Sequence, residues 1–153
     1  IRSCLVGSEM CIRDSLGTEA EVNALKSFGT NFGMTFQLID DAIDYSSNKK
    51  ILGKNTGDDF KEGKITLPII LAYGRSNDKE KKFWERTISD LNQNDGDFEM
   101  ALEIINKYQC IEDTLTRANH FSNVAVDSVD IFKDNIYKDK LVSLVSKSVS
   151  RIY

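Results

Sequence analysis

The strongest constraint on the fold is a long run of apolar residues at helical spacing in the first third of the chain. Between Leu25 and Ile43 an apolar side chain recurs every three or four positions, which is the period of an α-helix with a buried face. The pattern predicts one helix over about residues 19–45. The apolar positions that define it are Leu25, Phe28, Phe32, Phe36, Ile39 and Ile43.

The rest of the chain shows the same spacing in shorter segments. Helices are predicted over about residues 58–73 and 78–91, with Pro68 interrupting the first of these or restarting it at a first turn. Residues 46–57 are rich in Ser, Asn, Lys and Gly and predict a loop. No segment alternates with period two for long enough to indicate a strand. The sequence therefore predicts an all-α fold.

The inward positions of these helices follow from the spacing. In the segment 78–91 they are Phe83, Ile88 and Leu91. In three further helices they are Phe98, Ala101, Leu102, Ile105 and Tyr108, then Leu115, Ala118, Ser122, Ala125, Val129 and Phe132, and last Leu141, Leu144, Val145 and Val149.

Composition excludes several classes of protein. A net charge of −4 provides no basic surface for nucleic acid, and no apolar run approaches the ~20 residues of a membrane span. The three cysteines, Cys4, Cys11 and Cys110, have no CxxC spacing. Reduced thiols and a cytoplasmic location are expected.

The first fifteen residues differ from the rest of the chain. Residues 1–15 begin without methionine, contain two of the three cysteines and show no sustained period. We expect this segment to be foreign to the protein and place the folded domain at residues 16–153.

One polar stripe interrupts the first helix. On a helix, Gln37, Asp40, Asp41 and Asp44 share an arc of about 100°, while the remaining surface is apolar. Buried carboxylates are costly without a compensating cation, and Asp40 and Asp44 stand four residues apart, with Cβ atoms about 5–6 Å from each other. Mg²⁺ favours one or two carboxylates completed by water and phosphate oxygens. The stripe predicts a Mg²⁺ site, with a solvated acidic patch or helix-terminal charges as the alternative.

Two lysines follow the stripe in glycine-containing segments. Lys54 comes after Gly53, and Lys64 comes after Gly63. Each can approach the end of the stripe where a phosphate would lie, and a lysine there acts as a point charge and a donor. The neighbouring acidic residues have a structural interpretation, because Asp58 or Asp59 suits a helix N-cap with Glu62 completing a capping arrangement.

These segments resemble a known family. FQLIDDAIDY is similar to the second aspartate-rich motif of the trans-isoprenyl diphosphate synthases, the polyprenyl synthetase family, and LGKNTGDDFKEGKITLP resembles the block that follows it. The resemblance runs from about Gly17 to the C-terminus. The wording GDDFxEGKxTLP is closest to the octaprenyl and decaprenyl diphosphate synthases, whose products become ubiquinone side chains. The resemblance implies that this chain is the C-terminal half of an isoprenoid-synthase-type helical bundle.

The resemblance also implies a reaction and its residues. An allylic diphosphate held by Mg²⁺ ionises, isopentenyl diphosphate attacks the allylic cation, and a proton is lost. By position, Asp40 and Asp44 hold Mg²⁺ and Asp41 supports them. Lys54 and Lys64 bind the allylic diphosphate, and Gln37 lines the site. A homodimer is implied for the full-length enzyme.

The chain departs from the family in one large respect. Nothing in it matches the first aspartate-rich motif, so we expect half an active site and no prenyl transfer by this chain alone. Three alternatives stay open. They are a short-chain farnesyl or geranylgeranyl diphosphate synthase, a non-catalytic helical partner subunit of a synthase, and a terpene cyclase, against which the lysine block argues by resemblance.

Overall fold

The computed structural model describes residues 17–46 and 57–152, and within these ranges all regular structure is helical. The prediction of an all-α fold is confirmed. Seven α-helices follow one another in these ranges: α1 (Glu19–Asp44), α2 (Asp58–Lys61), α3 (Leu67–Arg75), α4 (Asp78–Trp84), α5 (Asp97–Lys107), α6 (Cys110–Ser128) and α7 (Ile136–Val149). A π-helical turn (Glu85–Ser89) continues α4, and a 3₁₀ turn (Ser150–Ile152) follows α7.

Helix α1 has the extent that its apolar spacing predicts. It begins after Thr18, whose Oγ1 accepts the N–H of Glu21 at 3.3 Å, while the Glu21 carboxylate accepts the N–H of Thr18 at 2.7 Å. This reciprocal pair satisfies two N–H groups that a helix start would otherwise leave without partners. The helix ends at Asp44, one residue before the predicted end.

The predicted helix over residues 58–73 is two helices. Helix α2 is a single turn, and Gly63 after it adopts a left-handed conformation with φ of +65°. This breaks the helix before Pro68, which then lies in the first turn of α3, as the restart interpretation predicted. The capping prediction is wrong, because the N-cap of α2 is Gly57 and Glu62 lies at the opposite end of this helix.

The segment after α4 also differs from its prediction. Phe83 and Ile88 are buried as expected, but Leu91 is 58% exposed and has a φ of +52°. The chain turns sharply here, and Arg86 makes contacts across the turn. Its guanidinium donates to both carboxylate oxygens of Asp97 at 2.8 Å and to the carbonyl of Asn92 at 2.7 Å. The helical period therefore ends before Leu91.

The chain divides into two compact units. Among the described residues, the first contains 17–37 and 117–151, and the second contains 38–46, 57–116 and 152. The core of the first unit has Phe28, Ala125, Val129 and Val145 at its centre. Its helices are also joined by a hydrogen bond of 2.7 Å between the hydroxyls of Ser27 and Ser128. Phe36 and Leu144, both predicted to face inward, are exposed.

The second unit has the larger core and carries the aspartates. Its buried members are Tyr45, Phe60, Ile69, Ala72, Phe83, Trp84, Ile88, Ala101, Ile104, Ile105 and Cys110. Among the described residues, no helix is both long enough and apolar enough to cross a lipid bilayer.

Candidate functional site

The three aspartates of α1 lie at its C-terminal end, where no basic residue accompanies them in the last turn. The aligned peptide dipoles give this end of a helix partial negative charge. Carboxylates are therefore unfavourable here unless a cation or N–H donors compensate them. For Asp40, Asp41 and Asp44, the compensating groups therefore come from outside the last turn of α1.

Burial is a second reason why ionised carboxylates are unfavourable at this end of α1 without compensating groups. Asp41 is 6% exposed, and Asp40 and Asp44 are partly buried. A fully solvated acidic patch, the alternative considered from sequence, does not describe this arrangement. Gln37, which was grouped with the aspartates, is exposed and belongs to the first unit.

The carboxylate of Asp44 contacts the start of α2. The main-chain N–H of Asp59 donates to Oδ2 of Asp44 at 3.0 Å, and the N–H of Gly57 donates to the main-chain carbonyl of Asp44 at 3.0 Å. Burial raises the pKa of the Asp44 carboxyl above its usual value, and the nearby Asp59 carboxylate raises it further, while the Asp59 N–H opposes the increase. Asp44 thus lies in a partly dehydrated, electronegative environment.

Lys64 belongs to the same constellation through Asp59. Its Nζ lies 2.8 Å from Oδ1 of Asp59 and 2.7 Å from Oε2 of Glu62, and its main-chain N–H donates to the carbonyl of Asp59 at 2.9 Å. Hydrogen bonds to these carboxylates, first Asp59, raise the pKa of Lys64 above its usual value. Lys64 is therefore a protonated cation, 54% exposed, beside the carboxylate end of α1.

The structure thus connects two of the predicted site residues, Asp44 and Lys64, through Asp59. Lys54 lies outside the described residues. Sequence reasoning gave Asp59 a capping role, but its N–H and carboxylate join the aspartate helix to the lysine. No periodic pattern could reveal this contact, since Asp44 and Asp59 are fifteen positions apart.

Two hydroxyl-bearing residues near the aspartates were also missed. Tyr45 directly follows Asp44, and Thr66 follows Lys64 by two positions; both side chains are buried. Burial raises the pKa of Tyr45, and the charges of Asp44, Asp59 and Asp41 raise it further. The signal in the sequence was a tyrosine at the edge of an apolar helix immediately after a carboxylate.

The donor atoms around α1 fit one kind of metal site. Within residues 17–46 and 57–152, no three acidic, histidine or cysteine side chains converge into a complete metal cage. Mg²⁺ does not need one, because one or two carboxylates suffice when water and phosphate oxygens complete the octahedron. Asp40 and Asp44 could supply one or two such carboxylate oxygens.

Sequence comparison identifies relatives for this arrangement. The profile of the polyprenyl synthetase family matches residues 6–105. That match begins inside the segment 1–15, so the domain boundary at residue 15 stays a prediction. The octaprenyl diphosphate synthase of Haemophilus influenzae is 37% identical over 137 residues, which are 90% of this chain and 41% of that protein.

Structural comparison agrees with the sequence. The decaprenyl diphosphate synthase of Rhodobacter capsulatus superposes with a TM-score of 0.89 and 32% identity, covering 97% of this chain and 46% of that one. A polyprenyl synthase of Caulobacter crescentus, solved with calcium and isoprenyl diphosphate, has a TM-score of 0.83 and 38% identity, covering 95% and 44%.

Both comparisons cover nearly all of this chain and less than half of each relative. The helical architecture is that of the isoprenoid synthase fold in the polyprenyl synthases. The match of the family profile over residues 6–105, together with this architecture, shows that the chain belongs to the polyprenyl synthetase family.

Proposed function

We propose that this chain is the C-terminal part of a Mg²⁺-dependent prenyltransferase that condenses isopentenyl diphosphate with an allylic diphosphate. The product is a long-chain all-trans polyprenyl diphosphate, the precursor of a ubiquinone side chain. The observation that carries the proposal is the connection of the partly buried Asp44 carboxylate to the protonated Lys64 through Asp59. The long-chain relatives support the product class.

Each residue has a proposed task. Asp40 and Asp44 hold Mg²⁺, with Asp41 supporting them, and Lys54, Lys64 and Gln37 contact the allylic diphosphate. Bound Mg²⁺ would neutralise charge on the departing diphosphate. Lys64, a cation held by Asp59 and Glu62, would donate hydrogen bonds to the same group and stabilise the negative charge that develops on it.

We further propose that prenyl transfer needs a second aspartate-rich helix in addition to α1. Two carboxylates that hold one end of a diphosphate leave the rest of its charge uncompensated. The 153-residue chain alone is therefore expected to bind a Mg²⁺–diphosphate complex without forming product. The full-length enzyme would be a cytoplasmic homodimer.

Calorimetric titration of the 153-residue chain with inorganic pyrophosphate tests the site directly. Binding should require Mg²⁺, and both Asp40→Asn and Asp44→Asn should abolish it or weaken it at least about tenfold, since loss of a group that only orients a metal ligand already has an effect of about this size. Asp127→Asn removes an exposed carboxylate on α6 and serves as the matched control. Unchanged binding by Asp40→Asn would reject Asp40 as a ligand.

The reaction is tested with the longer reading frame that contains this chain. With Mg²⁺, isopentenyl diphosphate and farnesyl diphosphate, we expect long-chain polyprenyl diphosphates, resolved by reversed-phase chromatography after dephosphorylation. Farnesyl or geranylgeranyl products from shorter primers would instead identify a short-chain enzyme. A longer frame whose other half lacks aspartate pairs would support a non-catalytic partner subunit. Product formed by the 153-residue chain alone would contradict the requirement for a second aspartate-rich helix.

A further inference from the structure

The turn that carries Lys64 follows a helix too short to be stable by itself. Helix α2 is the single turn Asp58–Lys61, and an isolated helical turn is unfavourable because few hydrogen bonds offset the backbone order that it requires. Its start is held by Asp44, which accepts the N–H of Asp59, and the ring of Phe60 is buried in the core. Both contacts act before the chain reaches Lys64.

The end of α2 is held by the side chain of Gln93. The Nε2 group of Gln93 donates to the main-chain carbonyl of Phe60 at 2.8 Å and to that of Thr87 at 2.9 Å. Both acceptors are carbonyl oxygens, so the amide must present its two N–H groups to them. Carbonyl groups near the end of a helical segment lack partners within it. Gln93 therefore ties the end of α2 to the π-helical turn (Glu85–Ser89) with one side chain.

The same carbonyl of Phe60 also belongs to the turn into Lys64. It accepts the N–H of Gly63 at 3.0 Å, and the N–H of Lys64 donates to the carbonyl of Asp59 at 2.9 Å. Gly63 has a φ of +65°, the left-handed conformation that commonly closes the end of a helix. Gln93 thus contacts an acceptor on which the turn into Lys64 depends.

A second contact joins the same two segments. A Cβ at Gly63 would overlap Cδ2 of Leu91 and would lie 3.1 Å from the carbonyl oxygen of Ile88. Leu91 itself has a φ of +52°, which in a residue other than glycine persists where surrounding contacts enforce it. The turn at Gly63 and the segment around Leu91 are therefore packed directly against each other, and a displacement of one moves the other.

We propose that Gln93 is a positioning residue for the diphosphate site, because it holds the turn from which Lys64 reaches its partners. The ammonium group of Lys64 lies 2.8 Å from the Asp59 carboxylate and 2.7 Å from that of Glu62, and these pairs form only while the turn keeps the three side chains together. The hold on the turn is inferred from the hydrogen bonds of Gln93, whereas the positioning role rests on the function proposed above.

Amide hydrogen exchange, measured by NMR, tests the hold on the turn without reference to binding. Gln93→Met keeps the length of the side chain and removes both donors. The N–H groups of Gly63 and Lys64 should then exchange about tenfold faster, as expected when hydrogen bonds that close a local segment are lost. Gln93→Glu, which places a carboxylate against two carbonyl oxygens, should have a larger effect. Unchanged exchange in both variants, or a wild-type turn that exchanges like an unprotected peptide, would rule out the hold.

The matched control for these variants is Thr87→Val. Thr87 is fully buried, and its hydroxyl donates to the carbonyl of Phe83 at 2.8 Å within its own helical segment. The substitution lowers overall stability without removing a contact to the turn, so the amides of Gly63 and Lys64 should exchange at the wild-type rate. An equal acceleration in Thr87→Val and Gln93→Met would trace the effect to overall stability and would contradict the hold.

A double-mutant cycle on the binding of Mg²⁺ and pyrophosphate tests the positioning role. Gln93→Met should raise the Kd about threefold to tenfold in the otherwise wild-type chain and should leave it unchanged in the Lys64→Ala chain, because a residue that acts through another is non-additive with it. NMR titration also measures the weak binding expected of the Lys64→Ala chain. An equal increase in both chains would show that Gln93 acts by another route and would overturn the positioning role.

The remaining outcomes separate this inference from the proposed function. Wild-type affinity in Gln93→Met would overturn the positioning role alone. Thr87→Val should bind normally, and a loss of affinity equal to that of Gln93→Met would also count against positioning. Absence of Mg²⁺-dependent binding by the wild-type chain would overturn the proposed site and the positioning role together, while amide exchange still decides whether Gln93 holds the turn.

Discussion

The main-chain N–H of Asp59 donates to the carboxylate of Asp44 at 3.0 Å. The last residue of α1 therefore satisfies an N–H group at the start of α2, a helix whose own N-cap is a glycine without a side chain. Asp44 consequently has two tasks, since it stabilises the segment that carries Lys64 and is also a proposed ligand of Mg²⁺. Substitutions that replace Asp44 by an uncharged residue can separate these tasks.

Asp44→Asn and Asp44→Ala should differ in stability and agree in binding. The amide oxygen of asparagine can still accept the Asp59 N–H, whereas alanine leaves it without this partner and should lower the free energy of unfolding by about 1 kcal/mol. Both variants lose the charge and should lose Mg²⁺-dependent pyrophosphate binding. Urea denaturation and calorimetry measure the two effects. Equal stability of the two variants would show that the capping bond contributes nothing.

Gly57→Ala should destabilise the protein more than Gly96→Ala. Both glycines have similar left-handed conformations, with φ of +85° and +89°. A Cβ at Gly57 would lie 2.6 Å from the ring of Phe98, whereas nothing lies within 4 Å of one at Gly96. The shared backbone cost cancels in the comparison, which leaves about 1–3 kcal/mol for the steric clash. Matching urea midpoints for the two variants would disprove the close approach of Phe98.

Lys64→Ala should weaken pyrophosphate binding with little loss of stability. The side chain of Lys64 is 54% exposed, so its ion pairs with Asp59 and Glu62 contribute little to folding. Loss of its hydrogen bonds to a charged ligand should raise the Kd roughly tenfold to a hundredfold. Lys61→Ala, which removes an exposed lysine 3.6 Å from Asp58, is the control and should bind normally. Normal binding by Lys64→Ala would exclude its contact with the diphosphate.

Acidification should destabilise the protein through Asp97. The hydrogen bonds from Arg86, and then from the N–H of Asn94, hold the pKa of Asp97 below its usual value. A carboxyl group with a depressed folded pKa stabilises the native state above its unfolded pKa and loses this contribution as the pH falls through the folded value. The urea concentration at the unfolding midpoint of the wild type should therefore decrease once the pH drops below about 4. Asp97→Asn should have a shallower acid dependence, and an identical slope would refute this assignment.

Local periodicity accounts for the parts of the fold that sequence reasoning predicted correctly. The extent of α1 and the buried positions Ile105 and Val129 follow from side-chain spacing within each segment. The restart at Pro68, one of two options given for this residue, follows from the preference of proline for the first turn of a helix. The family was identified from two contiguous sequence motifs, and recognising them requires no knowledge of tertiary contacts.

The predictions that failed depended on distant residues. Leu91 was assigned inward from its helical spacing, but it is exposed in a turn across which Arg86 pairs with Asp97. Asp58 and Asp59 were assigned as caps from local rules, but a carboxylate from another helix accepts the relevant N–H.

The sequence by itself determined the helical class and the family, and it led to the proposal of the aspartates for Mg²⁺ and of Lys54 and Lys64 for the diphosphate. Each of these depends on residues close together along the chain. Only the tertiary structure decided that Asp44 meets Asp59, that Lys64 joins them and that Tyr45 and Thr66 are buried nearby. Hydrogen bonds and burial depend on which atoms meet after the chain folds back. The spacing of side chains along a single helix does not show which atoms of distant segments will meet.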